Sequence, residues 1–402
     1  MTGVPQGSRR QVYFCFADPT GFSGQKAATE IVIRGLSRRG WSPRRLPLPV
    51  LERGDQQWLA LPRFLFATLL AWLRALRLLA GRGSWLCVNM GQTRAAFLRD
   101  SVPLLVGRIG LGREGVVVSL HSSLFMGWEN DSVDARAFRL LLGMAGAVTV
   151  LGEGQRRRLI DLGIPSGRLV TVVNTCELEP ISKEDVTTKF AVLDGDRTKP
   201  VCLLHLSSLV DTKGFPEYLG ALARISEMPG PVVEAVLCGP LSASDFSGPF
   251  GDLAKANAWI EDEMAAINRG KRVRVKWIKG AAGAEKAALF REAHIFVLPT
   301  RYAVEAQPLV LLEAMASGCA VVTTRIGEIT TILDEECAVL LNQPTVEALT
   351  GQLQDLVGNV SEIGRLALAA HGRYVDRYGM ESHIDQWERL LARTGGRPGG
   401  NA

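Results

Sequence analysis

Short apolar runs alternate with longer amphipathic stretches along the whole chain. In the first part of the sequence the apolar runs are rich in β-branched and aromatic residues, which predicts strands over residues 11–17, 84–90, 115–121, 147–151 and 169–174. Helix-length stretches lie between them, over Gln25–Arg39, Arg63–Leu79 and Ala135–Met144. Strands that alternate with helices in this way are typical of βαβ units and a parallel sheet.

The alternation pauses at the polar stretch Cys176–Pro200, which we interpret as a linker, and then resumes. Further strands are predicted over residues 201–207, 232–239, 273–280, 294–300 and 320–324. The pattern predicts an α/β protein with two doubly wound parallel-sheet lobes, residues 1–180 and 181–379, and a C-terminal helix with a flexible tail over 380–402. Ligands of such sheets bind beyond the carboxyl ends of the strands, so we expect a shared ligand in a cleft between the lobes.

Composition narrows the class of protein. An apolar fraction of 47% with 22% charged residues is that of a folded globular protein. The seven cysteines are scattered without metal-ligand spacing, so we expect reduced thiols in a cytoplasmic protein and no metal. The start of the chain lacks the apolar segment of a signal peptide.

The charge is unevenly distributed, because residues 1–100 hold 15 Lys and Arg against 5 Asp and Glu. The apolar segment Trp58–Ala80 carries Arg63, Arg74 and Arg77 and is too interrupted to span a bilayer. It is predicted either to contact an anionic membrane peripherally or to pack as a core helix, and its periodicity does not distinguish the two. Solvated arginines on helix surfaces would give the same charge surplus, and this is the interpretation that we favour for the charge alone.

The strongest candidate for chemistry is the segment 299–324, PTRYAVEAQPLVLLEAMASGCAVVTT. A strand is followed by a polar loop with Arg301, Glu305 and Gln307, and Pro308 then introduces a helix over Leu309–Ala316. The amide groups that follow Glu305, together with the helix dipole, suit a diphosphate. Glu313 in the second turn can accept hydrogen bonds from the vicinal hydroxyls of a ribose, and Glu305 from a hexose. The alternative is that both glutamates are surface charges beside an ordinary turn.

Two carboxylates separated by seven residues and followed by AMASG and an apolar strand resemble the donor motif of retaining family 4 glycosyltransferases of the GT-B fold. The resemblance implies that Glu305 contacts the transferred sugar and Glu313 the nucleotide ribose. It also places the backbone of Ala306, Gln307, Leu309 and Val310 against the donor. Ala306 stands where the family usually has glycine.

A second part of the resemblance is SSLVDTKG, residues 207–214. Lys213 matches the lysine that neutralises the donor diphosphate, while Ser208 stands where the family has an arginine. We hypothesise that Arg301 supplies the missing charge. Ile278 and Lys279, after a later strand, stand where family members read the base through backbone groups.

In the first lobe, the resemblance points to the loop with Gly21 and Gly24 and to His121 at the end of its strand. Family members place a glycine loop near the donor phosphates, and a histidine near the reacting carbon. Without the resemblance, Lys213 would be interpreted as a turn residue and His121 as a structural histidine.

These features predict a retaining hexosyltransferase that needs no cofactor beyond its nucleotide-sugar donor. A UDP-sugar is the first choice for the donor, with GDP- and TDP-sugars as alternatives. The expected acceptor is a glycan hydroxyl, on a lipid-linked or cell-surface polysaccharide precursor. We expect Glu305, His121 and Lys213 to be catalytic, no nucleic-acid partner, and a cytoplasmic location that includes the inner face of the membrane. A nucleotide-sugar epimerase and a non-catalytic nucleotide-sugar binder are the alternatives.

Overall fold

The computed structural model describes residues 10–19, 23–50, 57–81, 83–196, 198–242, 250 and 252–394. The chain divides into two compact units. The N-terminal unit comprises residues 1–175 and 380–402, and the C-terminal unit comprises residues 176–379.

The N-terminal unit contains a six-stranded parallel sheet. Its strands are β1 (Gln11–Ala17), β2 (Ser42–Leu48), β3 (Trp85–Asn89), β4 (Val116–Ser119), β5 (Ala147–Val150) and β6 (Leu169–Thr171). They are arranged in the order β2-β1-β3-β4-β5-β6, and every neighbouring pair is parallel. The side chains of β3, β4 and β5 are buried on both faces, which explains their continuous apolar sequences.

The helices of this unit are α1 (Gly24–Arg38), α2 (Gln57–Ala75), α3 (Arg94–Gly110), α4 (Val133–Leu142) and α5 (Glu153–Asp161). A 3₁₀ helix, Leu76–Ala80, continues α2. Ser23 and Thr93 cap α1 and α3 by accepting backbone hydrogen bonds from Lys26 and Ala96.

The last helix of the chain, α14 (Met380–Arg393), belongs to the N-terminal unit. It packs on α1, where Gly35 leaves room for Ile384, since a Cβ on Gly35 would lie 2.2 Å from the Ile384 Cδ1. Trp387 packs edge-to-face on Phe14 of β1, with ring centroids 5.9 Å apart. The first and last segments of the unit therefore share one hydrophobic core.

The C-terminal unit contains a second six-stranded parallel sheet. Its strands are β7 (Val201–Leu206), β8 (Val233–Cys238), β9 (Val273–Ile278), β10 (Ile295–Leu298), β11 (Ala320–Thr324) and β12 (Ala338–Leu341), in the order β12-β11-β10-β7-β8-β9. Its helices are α6 (Lys183–Gly195), α7 (Phe215–Glu227), α8 (Leu253–Arg269), α9 (Gly283–Glu292), α10 (Leu309–Ala316), α11 (Ile329–Ile332), α12 (Val346–Gly358) and α13 (Val360–Arg377). The prediction of an α/β chain with two parallel sheets is confirmed.

Each strand predicted from the sequence is present, but other elements differ from expectation, among them the edge strand β12, which was not predicted. The interpretation of Cys176–Pro200 as a linker is wrong, because α6 lies within it. Ser182 and Asp185 form a capping box at its start, and Val186 and Phe190 are buried. The edge strand β2 was not predicted, because its sequence SPRRLPL contains two prolines and two arginines.

In the described part of the chain, no helix combines the length and apolar character that crossing a bilayer requires. The seven cysteines are all free thiols.

Candidate active site

The loop between β10 and α10 is held in place by two glycines from neighbouring segments. Gly214 precedes α7 with a φ of +91°, and a Cβ there would lie 2.4 Å from the carbonyl oxygen of Pro299. Gly327 has a φ of +57°, and a Cβ there would lie 2.3 Å from the carbonyl oxygen of Glu305. Because only glycine permits both the conformation and the close approach, these positions fix the path of the loop.

Glu305 is buried at the end of this loop and faces Lys213. The Lys213 Nζ lies 3.3 Å from the Glu305 Oε2, so the two groups form an ion pair. Lys213 also lies over the ring of Tyr302, with its Nζ 5.1 Å from the ring centroid. The structure therefore brings together the two residues that the sequence motifs indicated 92 positions apart.

Glu313 lies in the second turn of α10 and is 3% exposed. Lys286 of α9 donates a hydrogen bond of 2.5 Å to the Glu313 Oε1. Burial raises the pKa of Glu313, and the charge and hydrogen bond of Lys286 act in the opposite direction. The motif identified Glu313, but it did not identify the lysine that holds it.

Arg301 makes an ion pair with Glu217 in the first turn of α7. Burial raises the pKa of Glu217, and the charge of Arg301 opposes that effect. Arg301 and Ser208 both lie on segments that follow strands, β10 and β7. For Arg301 to act on a donor phosphate, its guanidinium would have to share or leave Glu217.

Several buried polar atoms near these residues have no hydrogen-bond partner among the described residues. They are Glu313 Oε2, Glu217 Oε2 and Thr212 Oγ1. Burying a polar atom without a partner is costly, and such atoms usually mark a place where water or a ligand binds. Their location beside Lys213 and the start of α10 fits a ligand that donates hydrogen bonds, as a sugar does.

The backbone positions of the predicted donor site lie around the N-terminus of α10. Ala306 and Gln307 are buried, and the Ala306 carbonyl accepts a hydrogen bond of 2.8 Å from the Glu328 amide. Leu309 and Val310 are half-buried in the first helical turn. First-turn amides lack partners within their own helix and favour anions.

Ile278 and Lys279 lie at the carboxyl end of β9. The Ile278 carbonyl accepts a hydrogen bond of 2.8 Å from the Gly239 amide. The Lys279 Nζ lies 3.9 Å from the Trp277 ring centroid and 3.0 Å from the Asn257 Oδ1. These contacts stabilise the end of the strand and do not join it to either glutamate.

In the N-terminal unit, His121 lies at the end of β4 in a small cavity with Asn174 and His383. Its Nε2 is 3.1 Å from the Ser119 Oγ, which accepts a hydrogen bond of 2.8 Å from Thr149. Burial, with a further contribution from His383, lowers the pKa of His121 to about 4. His121 is therefore neutral near pH 7 and offers a hydrogen bond rather than a charge.

The predicted glycine loop is only partly described. Gly21 lies outside the described residues. Gly24 is the first residue of α1, and a Cβ there would meet no atom of the described residues within 4 Å.

Other features of the described structure lie away from this chemistry. A groove of about 390 Å³ in the C-terminal unit is lined by residues such as Cys202, Glu234 and Arg274 and shares none with the glutamate loop. Among the described residues, no cluster of three His, Cys, Asp or Glu side chains could hold a metal ion.

Comparison with known proteins fits this geometry. The family model described as "Glycosyl transferases group 1" matches residues 190–365, which include both glutamates, Lys213 and Lys286. A comparison with curated proteins gave no match.

Solved structures share the fold over nearly the whole chain. Anabaena HepE in complex with UDP and glucose superposes with a TM-score of 0.67 at 15% identity, covering 95% of this chain and 99% of that one. Its complex with UDP-glucose gives 0.64 at 16% identity, with the same coverage. Sucrose-phosphate synthase from Thermosynechococcus elongatus gives 0.67 at 17% identity, covering 96% and 99%.

The fold is thus that of the GT-B glycosyltransferases. Within the C-terminal unit, residues 190–365 are similar to the group 1 glycosyltransferases.

Sequence reasoning did not find Lys286, Glu217, Gly214 or Gly327 as parts of the site. Lys286 precedes Glu313 by 27 residues, and Glu217 precedes Arg301 by 84. Contacts over such separations depend on the sheet order, which no local pattern encodes. Gly327 could have been noticed from the sequence, because it lies three residues after the end of β11, and a glycine in a short loop often marks a turn with positive φ.

Proposed function

We propose that the protein transfers a hexose from a nucleotide sugar to a hydroxyl group of a glycan, with retention of the anomeric configuration. The observation that carries the proposal is the buried pair of carboxylates, Glu305 beside Lys213 and Glu313 beside Lys286, around the N-terminus of α10. This arrangement offers acceptors for sugar and ribose hydroxyls, and a positive region for a diphosphate.

In the proposed reaction, the bond from the anomeric carbon to the diphosphate oxygen breaks as negative charge grows on the leaving group. Lys213 and the first-turn amides of α10 stabilise that charge. Glu305 accepts a hydrogen bond from the sugar, and its carboxylate is held in place by the ion pair with Lys213. Retention follows if the acceptor hydroxyl attacks from the face that the diphosphate leaves and passes its proton to the leaving phosphate.

The donor is proposed to be a UDP-sugar. Support comes from HepE, whose structures are described as complexes with UDP and with UDP-glucose. GDP- and TDP-sugars remain the alternatives that a direct test must separate.

A panel of UDP-, GDP- and TDP-sugars, incubated with and without acceptor, tests this proposal. Acceptor-dependent release of the nucleotide is expected. Isomerisation of the sugar without an acceptor would indicate an epimerase, and binding without turnover would indicate a carrier or scaffold. Analysis of the product anomer by NMR tests retention, and an inverted product would contradict it.

The acceptor is proposed to be lipid-linked, because one surface of the N-terminal unit suits an anionic membrane. Large apolar side chains are exposed on α2 and α3, including Phe66 at 64%, Leu98 at 65% and Ile109 at 67%. Arg63, Arg74, Arg77 and Arg108 are exposed on the same two helices and the 3₁₀ helix after α2. Within residues 57–110 the one acidic residue is Asp100, which is buried.

Apolar side chains bordered by arginines favour the interface of an anionic bilayer, where each basic residue contributes about 1 kcal/mol. Sedimentation with vesicles of phosphatidylglycerol and phosphatidylcholine measures this binding. The double variant Leu65→Asp with Phe66→Asp should lose it, and Leu140→Asp on α4, equally apolar and exposed, is the matched control. Equal binding by both variants would contradict the membrane proposal.

A further inference from the structure

The contact between α9 and α10 leaves one oxygen of a buried carboxylate open. Lys286 donates to the Glu313 Oε1, while the Oε2 of the same carboxylate is buried and accepts no hydrogen bond from any described residue. The Lys286 side chain is itself 19% exposed, so the lysine reaches the carboxylate from the edge of the site. The described residues thus hold the carboxylate through one of its two oxygens.

The surroundings of Glu313 oppose its negative charge. Burial raises its pKa, and the charge of Glu177, on the segment before α6, raises it further. Cys176 on the same segment is a buried thiol whose pKa is also raised, so it stays neutral. Among the described groups that face Glu313, Lys286 favours the ionised form, through both its charge and its hydrogen bond.

The ionisation state decides what the open oxygen can bind. An ionised carboxylate accepts hydrogen bonds from both hydroxyls of a ribose, whereas a protonated one carries a donor and loses acceptor capacity. The direction of the carboxylate matters equally, because a hydrogen bond to one oxygen fixes where the other points.

We propose that Lys286 is a positioning residue that keeps Glu313 ionised and oriented toward the ribose of the donor, and thereby makes the site select ribonucleotides over deoxyribonucleotides. The inference rests on the proposed function, since it assumes a nucleotide donor at this site. It also narrows the donor, because the thymidine of a TDP-sugar lacks the 2′-hydroxyl.

A purely structural role is the competing explanation, in which the ion pair only ties α9 to α10. The two roles differ in their consequences. A structural tie would affect every nucleotide to the same extent, whereas a positioning role acts on the hydroxyl groups and on the pH range of binding.

Titration calorimetry with UDP and 2′-deoxy-UDP between pH 5.5 and 8.5 separates the two roles. GDP and 2′-deoxy-GDP replace them if the protein prefers guanine. For Lys286→Met we expect UDP affinity to fall about tenfold or more at pH 7. Without Lys286, the Glu313 carboxylate would no longer be held as an acceptor for a ribose hydroxyl, and a buried hydrogen bond would be lost. The affinity for 2′-deoxy-UDP should change much less, and the loss of UDP binding on acidification should begin at a higher pH than in the wild type.

Two further variants complete the design. Lys286→Arg retains the charge and should recover most of the preference for UDP, and Lys271→Met removes an exposed lysine outside the site as the control. Melting temperatures of all variants identify any that fail to fold.

The outcomes distinguish this inference from the proposed function. If the wild type prefers UDP but Lys286→Met weakens UDP and 2′-deoxy-UDP equally, with the acid limit unmoved, the positioning role is wrong and the donor site stands. If the wild type binds neither uridine nor guanosine diphosphates, the proposed function fails and this inference fails with it.

Discussion

Each unit of the molecule buries a carboxylate beside a cation, but the two pairs are completed differently. In the N-terminal unit the Arg99 Nε lies 2.7 Å from the Asp100 Oδ1, and the Asp100 Oδ2 accepts from the Arg99 Nη2 at 3.2 Å and from the Gly91 amide at 2.9 Å. Arg99 also donates to the Pro49 carbonyl. In the C-terminal unit the Glu313 carboxylate receives one bond from Lys286, and its Oε2 receives none from the described residues.

The difference separates a structural ion pair from one that serves a ligand. A buried pair with its hydrogen bonds complete is part of the folded framework, and removing one partner leaves an uncompensated charge. A buried pair with an open oxygen remains incompletely satisfied until a ligand donates to it. Buried ion pairs thus have two distinct roles in this chain, one structural and one in ligand binding.

The largest expected effect is on the Arg99–Asp100 pair, whose hydrogen bonds are complete. Asp100→Ala leaves the Arg99 guanidinium buried without its counter-charge and should destabilise the protein by about 3–5 kcal/mol. Urea unfolding measures the loss, and the double change Arg99→Met with Asp100→Leu should recover most of it. A loss below about 1 kcal/mol would remove the distinction between the two pairs. Glu313→Gln should destabilise the protein less than Asp100→Ala does, and should weaken nucleotide binding more.

Glu305 gives the next largest effect, on catalysis. Glu305→Ala should reduce sugar transfer by about a hundredfold or more while nucleotide binding persists, because the carboxylate is proposed to act on the sugar in the transition state. Turnover and nucleotide affinity are measured separately, with Glu227→Ala at the exposed end of α7 as the control. Full activity of Glu305→Ala would contradict the role proposed for Glu305.

Arg301 should have an intermediate effect. If it carries part of the phosphate charge that Ser208 lacks, Arg301→Ala should weaken nucleotide binding about tenfold, as expected for a charged hydrogen bond. Glu217→Gln should then tighten binding, because it releases Arg301 from its ion pair. Unchanged affinity in both variants would show that the Arg301–Glu217 ion pair has a structural role only.

The smallest effect concerns the small cavity of the N-terminal unit that His121 and His383 line. Burial lowers the pKa of His383 to about 4 from the ordinary 6.5, and that of His121 to about 4. The unfolded chain binds these protons first, so stability should fall as the pH decreases from about 6.5 to about 4. His383→Gln should reduce that slope in urea unfolding followed across this range. An unchanged slope would show that the pKa of His383 is the same in the folded protein as in the unfolded chain.

The sequence predicted the sheets well because buried parallel strands are apolar along their whole length. Strand β2 escaped prediction since its edge position tolerates Pro43 and Pro47. Helix α6 escaped because its residues are mostly polar, although Ser182 followed three residues later by Asp185 is a readable start signal. In both cases tertiary packing, rather than the local pattern, determines the element.

The candidate site likewise contains residues that the local sequence predicts and residues that only the fold brings together. Glu305, Glu313 and Lys213 lie in short motifs and were predictable from them. Lys286 and Glu217 lie on helices whose local sequence contains no motif that points to these two residues. They contact the site because the strand order brings their helices next to it. Ion pairing of a motif residue with a distant partner is a property of the fold.

Helix α14 has a consequence for how the protein is made. It covers Phe14 of the first strand, yet the ribosome synthesises it after the entire C-terminal unit, residues 176–379. At typical elongation rates of ~5–20 residues per second, the core of the N-terminal unit stays uncovered for about 10 to 40 seconds. The C-terminal unit can therefore complete its folding before the N-terminal unit does, and the nascent chain exposes an apolar surface to chaperones during that interval.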